Sequence, residues 1–494
     1  MATQTGSRPT PDHGRGQGNG TGIDGFFRVS ERGSSVRTEV RGGLATFFTM
    51  AYIIVLNPVI LTGANVAVRS GPKLDFVQVT AVTALVAGVM TILMGILGRV
   101  PIALAAGLGL NGVVAYQLAP QMGWRGAMGI VVLEGLVITV LVLTGLRVLV
   151  FDAIPRSLKQ AISVGIGLFI ALIGFVDGGF ARRIPGTTGT VPLQLGVGNR
   201  LDGWPIVVFT LTLVVMFVLV ARRVRGALLI GIVSGTIFAI VLQKIVDVGG
   251  AEGDPSKTGW GLNVPKLPGK WFDTPDLALV GKFSIGGAVS AVGFTAVIVF
   301  VFSLLLTDFF DTMGTVVGVG GQAGLLDDDG RLPDAQRVLF VDSLAAVAGG
   351  AASASSNTAY IESASGVAEG ARTGLASVVT GVCFLAALFI APLVAVIPSE
   401  AAAPALVVVG FLMMRGVTEI DWASDDVAIP AFLTIVLMPF TYSITVGIGA
   451  GFVAYAVLKL IRGRARDVHW LLWVITAFFL AYFALAPIER ALGV

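Results

Sequence analysis

Three carboxylates lie in apolar segments that contain no lysine or arginine to neutralise them. Asp308 and Asp311 lie in Ser303–Thr315, and Glu362 lies in Ser353–Gly366. A carboxylate inside a membrane without a cationic partner must be protonated, hydrogen-bonded or hydrated, which suits it to bind a polar ligand and to carry a proton. Because Asp308 and Asp311 are three residues apart, they share one face of a helix, where one contacts a ligand and the other supports the helix.

A simpler interpretation stays open for each of these acids, namely that it caps backbone amides at a helix end. This alternative has most weight for Asp311. Glu134 and Asp342 are further acids in apolar segments, but no run of small residues interrupts the helix beside them. We interpret both as packing or gating contacts.

Two segments, Pro101–Tyr116 and Ser353–Gly366, are rich in residues that form poor helices. Unwound backbone at membrane depth is tolerated only against protein or a water-lined cavity, and a pair of interrupted segments at matching positions indicates a transport site. Two small-residue faces for helix packing are the alternative. The binding residues predicted here are Gly109, Asn111, Thr358, Tyr360 and Glu362, with Asn357 in a supporting role.

The composition indicates which elements must position these residues. Of 494 residues, 55% are hydrophobic and 13% are charged, against roughly 25% charged in a soluble domain. The mean hydropathy is +0.88. We therefore predict an all-α polytopic membrane protein, and nothing supports nucleic-acid binding. The single cysteine, Cys383, excludes an internal disulfide, and neither histidine lies in an apolar segment. We predict no cofactor and no metal site.

Apolar runs of bilayer thickness alternate with short loops from Val36 onward. About fourteen spans are predicted, flanked by a disordered tail at 1–22 and an apolar segment at 467–494 whose stretch 470–485 either crosses the membrane or lies at its surface. The predicted spans are 37–61, 76–98, 101–120, 125–150, 156–177, 204–221, 226–246, 285–313, 334–351, 355–369, 373–397, 402–416, 427–443 and 445–461.

Three clusters of basic residues indicate the orientation. They precede the first span (Arg28 to Arg41), join the sixth and seventh (Arg222 to Arg225), and follow the fourteenth (Lys459 to Arg466). With fourteen spans all three lie on one side, which the positive-inside rule assigns to the cytoplasm. We expect a multi-pass protein of the inner (plasma) membrane with a cytoplasmic N-terminus.

The chain also shows signs of an internal repeat. Asn111 and Asn357, and the Arg125 and Arg372 helix starts, recur at a spacing of about 245 residues. Seven spans in each half require the second copy to be inverted, as in many secondary transporters. The predicted copies are 24–247 and 285–466, joined by an extracellular loop at 248–284.

Several motifs resemble one family, the AzgA-like adenine/guanine/hypoxanthine permeases of the nucleobase–cation symporter-2 (xanthine/uracil permease) superfamily. The resemblance implies a core domain of spans 1–4 and 8–11 and a gate domain of spans 5–7 and 12–14. It also implies a substrate between the broken third and tenth spans, with Asp308, Glu362 and Asn111 as site residues. The motifs are Leu56–Pro58, Gly107–Gly112, Ala115–Tyr116, Thr307–Val319, Ala323–Pro333, Ser355–Gly366, Arg372–Gly374 and Ile429–Ser443.

The resulting hypothesis is a secondary active transporter that imports guanine, hypoxanthine or adenine by proton symport with alternating access. Glu362 would anchor the base, and Asp308 would bind it and exchange the proton, with Glu362 as the other candidate for proton coupling. Asp311 would have a supporting role. Sodium remains an alternative coupling ion, and a homodimer remains open. Uracil or xanthine transport, an anion transporter of the same fold and, remotely, an intramembrane aspartyl protease are the rival functions. Two acids in segments that contain no lysine or arginine disfavour an anion.

Overall fold

The structure is a computed structural model that describes residues 22–63, 73–145, 153–184, 193–251, 256–326, 332 and 335–492. The predicted disordered tail lies outside the described residues except for Gly22. The helices are α1 (Ile23–Phe27), α2 (Val36–Met50), α3 (Ile53–Gly63), α4 (Phe76–Leu93), α5 (Leu108–Gly112), α6 (Ala119–Leu143), α7 (Arg156–Asp177), α8 (Trp204–Ala221), α9 (Ala227–Val246), α10 (Ile285–Gln322), α11 (Ala335–Ala352), α12 (Ser363–Ala368), α13 (Gly374–Ala387), α14 (Ala391–Val394), α15 (Ser399–Met414), α16 (Asp425–Thr441), α17 (Ile444–Ile461) and α18 (Trp470–Leu492).

The described residues also include four short strands. They form two antiparallel pairs, β1 with β4 and β2 with β3. The strands are β1 (Leu104–Ala106), β2 (Ala181–Arg183), β3 (Leu193–Leu195) and β4 (Asn357–Ala359).

Ten helical segments of the described chain are long and apolar enough to cross a bilayer. One of them, Leu108–Leu143, contains two predicted spans, because Gly123 leaves the helical conformation with φ 72° and ψ 161°. Predicted spans 9, 10 and 13 correspond to α11, the β4–α12 segment and α16. The fold is that of an α-helical multi-pass membrane protein, and the count of fourteen stays a prediction.

The helix that carries Asp308 and Asp311 is longer than predicted. The expected span was 285–313, whereas α10 continues to Gln322 and is broken near its start at Gly293, with φ 78° and ψ 161°. A glycine adopts this conformation without the steric cost that a side chain would add. The unbroken helix therefore runs from Phe294, and both aspartates lie near its middle. This placement is incompatible with helix-end capping.

The helices pack into two groups that correspond to core and gate domains. Small residues allow close approach within the core: a Cβ added at Gly95 would lie 2.4 Å from the carbonyl oxygen of Gly374. In the gate, α7 and α15 run antiparallel, with Gly167 against Met413 and Gly174 against Val407. The core consists of α2, α3, α4, α6, α10, α11, α12 and α13, and the gate consists of α7, α8, α9, α15, α16 and α17.

One end of the molecule carries the basic residues Arg41, Arg225 and Lys459, and we call it the basic end. Arg41 forms an ion pair with Glu369 at 3.0 Å, and Arg225 pairs with the same carboxylate. Lys459 pairs with Asp426 at 2.7 Å. The shared partner brings the first two basic clusters of the sequence together.

The C-terminal apolar segment forms one continuous helix, α18, which includes the predicted stretch 470–485. Its Phe479 is buried and packs edge-on against Phe452 of α17 and Phe302 of α10. The helix is therefore attached to both domains of the transmembrane region.

Candidate binding site

The two interrupted segments meet as an antiparallel ladder in the middle of the molecule. Leu104 pairs with Ala359, and Ala106 pairs with Asn357. The backbone N–H of Gly107 donates to the carbonyl oxygen of Ser356 at 2.9 Å, and that of Tyr360 donates to Ala103 at 3.0 Å. Backbone N–H and C=O groups that have no partner within their own segment thus form hydrogen bonds with the other segment. Unwound chain is tolerated inside a membrane only when its backbone groups have such partners.

Buried side chains of neighbouring helices fix β4 in place. Asp342 accepts hydrogen bonds from the Thr312 hydroxyl at 2.8 Å and from the backbone N–H of Ala359 at 3.2 Å. Glu134 accepts from the Ser356 hydroxyl at 3.2 Å. Both acids therefore contact the ladder region and position the strand.

A cavity of about 270 Å³ lies beside the ladder, between the core and the gate. This is slightly below the roughly 300–1,000 Å³ of sites for drug-sized ligands, so it suits a compact molecule. The gate wall is apolar except for one hydroxyl, whereas the core wall carries the acids. The gate contributes Ile162, Ser163, Ile166, Val409 and Met413, and the core contributes Tyr52, Leu108, Gly109, Thr307, Asp311, Thr315, Ala359, Tyr360, Ile361 and Glu362.

Glu362 lines this cavity directly before α12 and is held by a tyrosine that the sequence analysis did not single out. The Tyr52 hydroxyl donates to Glu362 Oε1 at 2.5 Å. Tyr52 occupies the break between α2 and α3, so an interruption of the first span places its hydroxyl at the site. A tyrosine within a predicted span was the available signal, because its hydroxyl requires a partner there.

The structure separates the two aspartates of α10. Thr307, Asp311 and Thr315 lie at a four-residue spacing and line the cavity, with Asp311 exposed to it. Asp308 is fully buried on the adjacent face, the one from which Thr312 contacts Asp342 and Thr358, and it does not line the cavity. The placement differs from the expectation that Asp308 contacts the ligand and Asp311 supports the helix. Asp311 lines the cavity, whereas Asp308 packs beside Thr312 against the elements that carry Asp342 and Thr358.

Some of the other predicted residues line the cavity, and the rest are buried near it. Gly109 and Tyr360 line the cavity, and the Tyr360 hydroxyl donates to the carbonyl oxygen of Ala106 at 2.5 Å. Thr358 is buried and shares a hydrogen bond of 2.7 Å with Thr312. Asn111 and Asn357 are buried beside the ladder, and within the described chain neither amide side chain has a hydrogen-bonding partner.

The gate side of the cavity was not predicted. Ile162, Ser163 and Ile166 come from α7, and Val409 and Met413 come from α15. Four of these five side chains are ordinary apolar residues of a membrane helix. The sequence offers no signal that distinguishes them from their neighbours.

Two helical domains with a cavity between them, beside a short ladder formed by two interrupted segments, are typical of a membrane transport protein. The sequence profile of the Permease family, the xanthine/uracil permeases, matches residues 37–450. The chain therefore belongs to this family of permeases, which are transporters and not enzymes.

Characterised relatives cover nearly the whole chain. The chain is 38% identical to the guanine/hypoxanthine permease PbuG of Bacillus subtilis over 93% of its own length and 98% of that protein. It is 37% identical to the adenine permease AdeQ of Escherichia coli, over 92% of its own length and 94% of that protein.

Solved structures share the fold at low sequence identity. The transmembrane domain of the cyanobacterial bicarbonate transporter BicA matches with a TM-score of 0.56 at 15% identity, covering 84% of this chain and 97% of that one. The murine anion transporter Slc26a9 in its inward-facing state matches with a TM-score of 0.59 at 12% identity, covering 94% and 77%.

Proposed function

We propose that this protein imports purine nucleobases together with protons across the inner membrane by alternating access. The observation that carries the proposal is the pair of carboxylates, Asp311 and Glu362, that line one compact cavity between core and gate. Relatives named as guanine/hypoxanthine and adenine permeases support the substrate class.

The chemistry of the cavity suits a flat, neutral heterocycle. Guanine and hypoxanthine carry ring N–H donors beside carbonyl acceptors, and carboxylate oxygens accept such N–H groups. The apolar side chains of the gate wall would cover the ring faces. Among the side-chain hydrogen bonds of the described chain, Glu362 accepts only from Tyr52. We propose that Glu362 anchors the base.

The second carboxylate is assigned on geometry. Asp311 faces the cavity, so we propose that it contacts the base and exchanges the coupled proton, and that Asp308 supports α10 from behind. Asn111, Thr358 and Asn357 would act from the ladder that frames the site. The family resemblance assigned substrate contact to Asp308, and substitution of each aspartate separates the two assignments.

An anion is the poorer candidate even though both solved relatives in the comparison carry anions. Two carboxylates in one small cavity repel an anionic ligand, by roughly 4 kcal/mol for each unit charge at 4 Å near a protein surface. A pyrimidine or xanthine would meet the same donors and acceptors, and competition for uptake distinguishes these bases from the purines above.

Uptake measurements test the proposal. Labelled hypoxanthine, guanine and adenine are offered to a strain without its own nucleobase transporters, with and without a protonophore. We expect saturable uptake that collapses with the proton gradient, and at least about 10-fold weaker uptake in Asp311→Asn, because hydrogen bonds to charged groups contribute roughly 1.5–3 kcal/mol. The control is Asp276→Asn, an exposed acid of the long loop.

Three results would contradict parts of this assignment. Uptake that survives the protonophore would remove proton coupling. Full activity of Asp311→Asn with loss in Asp308→Asn would return the binding role to Asp308. Saturable uptake of a pyrimidine with no competition from purines would change the substrate.

A further inference from the structure

A second polar cluster joins core and gate beyond the cavity, on the side away from the basic end. It starts from a π-helical turn, Val113–Leu118, that connects α5 to α6. The Tyr116 hydroxyl donates to Asp177 Oδ2 of α7 at 3.0 Å. Its neighbour Gln117 donates from Nε2 to the Thr445 hydroxyl of α17 at 2.7 Å. Two consecutive side chains of the core thus hold two different gate helices.

The second of these contacts continues into the core. Thr445 donates in turn to the Ser303 hydroxyl of α10 at 2.9 Å, so α17 is held between the third and eighth spans. Gln117, Thr445 and Ser303 are all buried. A hydrogen-bonded chain in such surroundings is costly to break unless water enters.

Tightly packed rings and aliphatic side chains accompany these bonds. The Tyr442 ring lies edge-on to Tyr116 at 5.8 Å and to Phe169 at 5.2 Å. A Cβ added at Gly112 would come within 3.2 Å of Phe169 and 3.3 Å of Ile173. Phe169 and Ile173 are buried. The layer formed by Gly112, Tyr116, Phe169, Ile173 and Tyr442 therefore seals the cavity on the side away from the basic end.

The opposite side of the cavity is less closed. Its gate residues Ile162 and Ser163 lie in the second turn of α7, near the basic end where that helix begins. Ile361, which lines the cavity next to Glu362, is 50% exposed. The cavity is therefore less enclosed on the side of the basic end than on the other side.

We propose that the π-helical turn Val113–Leu118 is the latch that closes the substrate cavity on the side away from the basic end. Tyr116 and Gln117 hold α7 and α17 against the core through Asp177 and Thr445. Opening to that side requires both hydrogen bonds to break together. The proposal rests on the alternating-access transport proposed above, but it does not depend on the substrate.

The geometry explains why a π-helical turn is used here. One extra residue in a turn shifts the direction of the side chains around it, and such turns recur at functional sites. In this chain the shift lies directly after the half-helix α5 that borders the cavity. A movement of α5 would reach the latch within two turns.

Thiol accessibility tests the latch without any transport assay. Cys383 is the only cysteine, so Cys383→Ser gives a cysteine-free background. In it, Ile173→Cys places a reporter inside the sealed layer. Purified protein in detergent is treated with a charged, membrane-impermeant thiol reagent, so orientation in the membrane does not matter. The rate of labelling reports how often the layer opens.

The expected results differ between variants. Tyr116→Phe removes a hydrogen bond to a carboxylate and should speed labelling about 10-fold. Adding Gln117→Leu should speed it by a further factor of about 2–10. Asp177→Asn keeps an acceptor for the tyrosine and should change the rate less than Tyr116→Phe does. The control, Tyr455→Phe, removes a hydroxyl near the other end of α17.

An unchanged labelling rate in folded Tyr116→Phe protein would overturn the latch, and so would equal acceleration by Tyr455→Phe. Size-exclusion elution of the purified variant establishes folding. Because Tyr116→Phe is conservative, it keeps the test valid if the double variant does not fold. A failure of purine uptake leaves these labelling rates untouched, so the two proposals fail separately.

Discussion

At the scale of single residues, the hydrogen bond from Tyr52 to Glu362 joins two side chains that line the cavity. It connects the break in the first span to the carboxylate before α12. A hydroxyl that donates to a carboxylate orients it and satisfies one of its oxygens. We propose that the carboxylate held in this way contacts the ligand.

Removal of that donor should weaken transport. In Tyr52→Phe the carboxylate loses its partner and its fixed orientation, and we expect purine uptake to fall about 10-fold or more. Initial uptake rates across substrate concentrations measure the change. The matched control, Tyr482→Phe, alters a ring that packs against Phe300 in α10, and it should stay near the wild-type rate. Equal rates in both variants would exclude a role for Tyr52.

The sequence singled out three acids, of which the structure places Asp311 and Glu362 at the cavity, but it did not indicate which acid of α10 reaches the cavity. The absence of nearby lysine and arginine was enough to single out Asp308, Asp311 and Glu362. Which acid of α10 points into the cavity depends on where α11 and β4 pack against this helix. These contacts join segments that are distant in sequence, so the sequence alone does not predict them. The four-residue spacing of Thr307, Asp311 and Thr315 was visible, but another face of the same helix was equally polar.

At the scale of elements, the position of β4 depends on close packing against α11. A Cβ added at Gly349 would lie 1.9 Å from the carbonyl oxygen of Ser355, two residues before the strand. No side chain fits there unless the backbone moves. The segment before β4 can therefore approach α11 this closely only because Gly349 has no side chain.

Gly349→Ala should displace β4 and disturb the site that follows it. We expect destabilisation of about 1–3 kcal/mol from overpacking, a lower midpoint of thermal unfolding and weaker uptake. The control is Gly286→Ala in α10, where no atom lies within 4 Å of the added Cβ and where alanine favours the helix. Wild-type stability in Gly349→Ala would contradict the prediction, because it would mean that Ser355 can move away from residue 349 at no cost.

Element types were partly predictable. Gly, Ser and Asn in the third and tenth spans predicted unwound chain, and the structure has strands there. The register of β1 with β4 was not predictable, because it joins segments about 250 residues apart. The π-helical turn left no sequence signal, since Val113–Leu118 reads as ordinary apolar helix.

At the scale of the whole molecule, composition alone established a multi-pass membrane protein, because too few charged residues exist to cover a soluble surface. We propose that residues 24–247 and 285–466 are the two inverted copies, with 248–284 as the connecting loop. We also propose that the basic end faces the cytoplasm, since Lys and Arg concentrate there.

Reporter fusions test this orientation. Alkaline phosphatase is active only outside the cytoplasm, so its insertion at Gly269 in the long loop should give an active enzyme. Fusion before Met1 should give an inactive one. The opposite pattern would place the basic end outside the cytoplasm. Active phosphatase at both positions would contradict the seven spans predicted between them, because an even number of spans places both positions on the same side.

The pairing of β1 with β4 has a consequence for how such transporters diversify. Main-chain hydrogen bonds form whichever side chains the residues carry, so this frame imposes little on the identity of the groups around it. Mutations of the side chains that line the cavity can then change the transported substrate while the β1–β4 pair is retained. The solved bicarbonate and anion transporters keep this fold at 12–15% sequence identity, so few of its residue positions require one particular side chain.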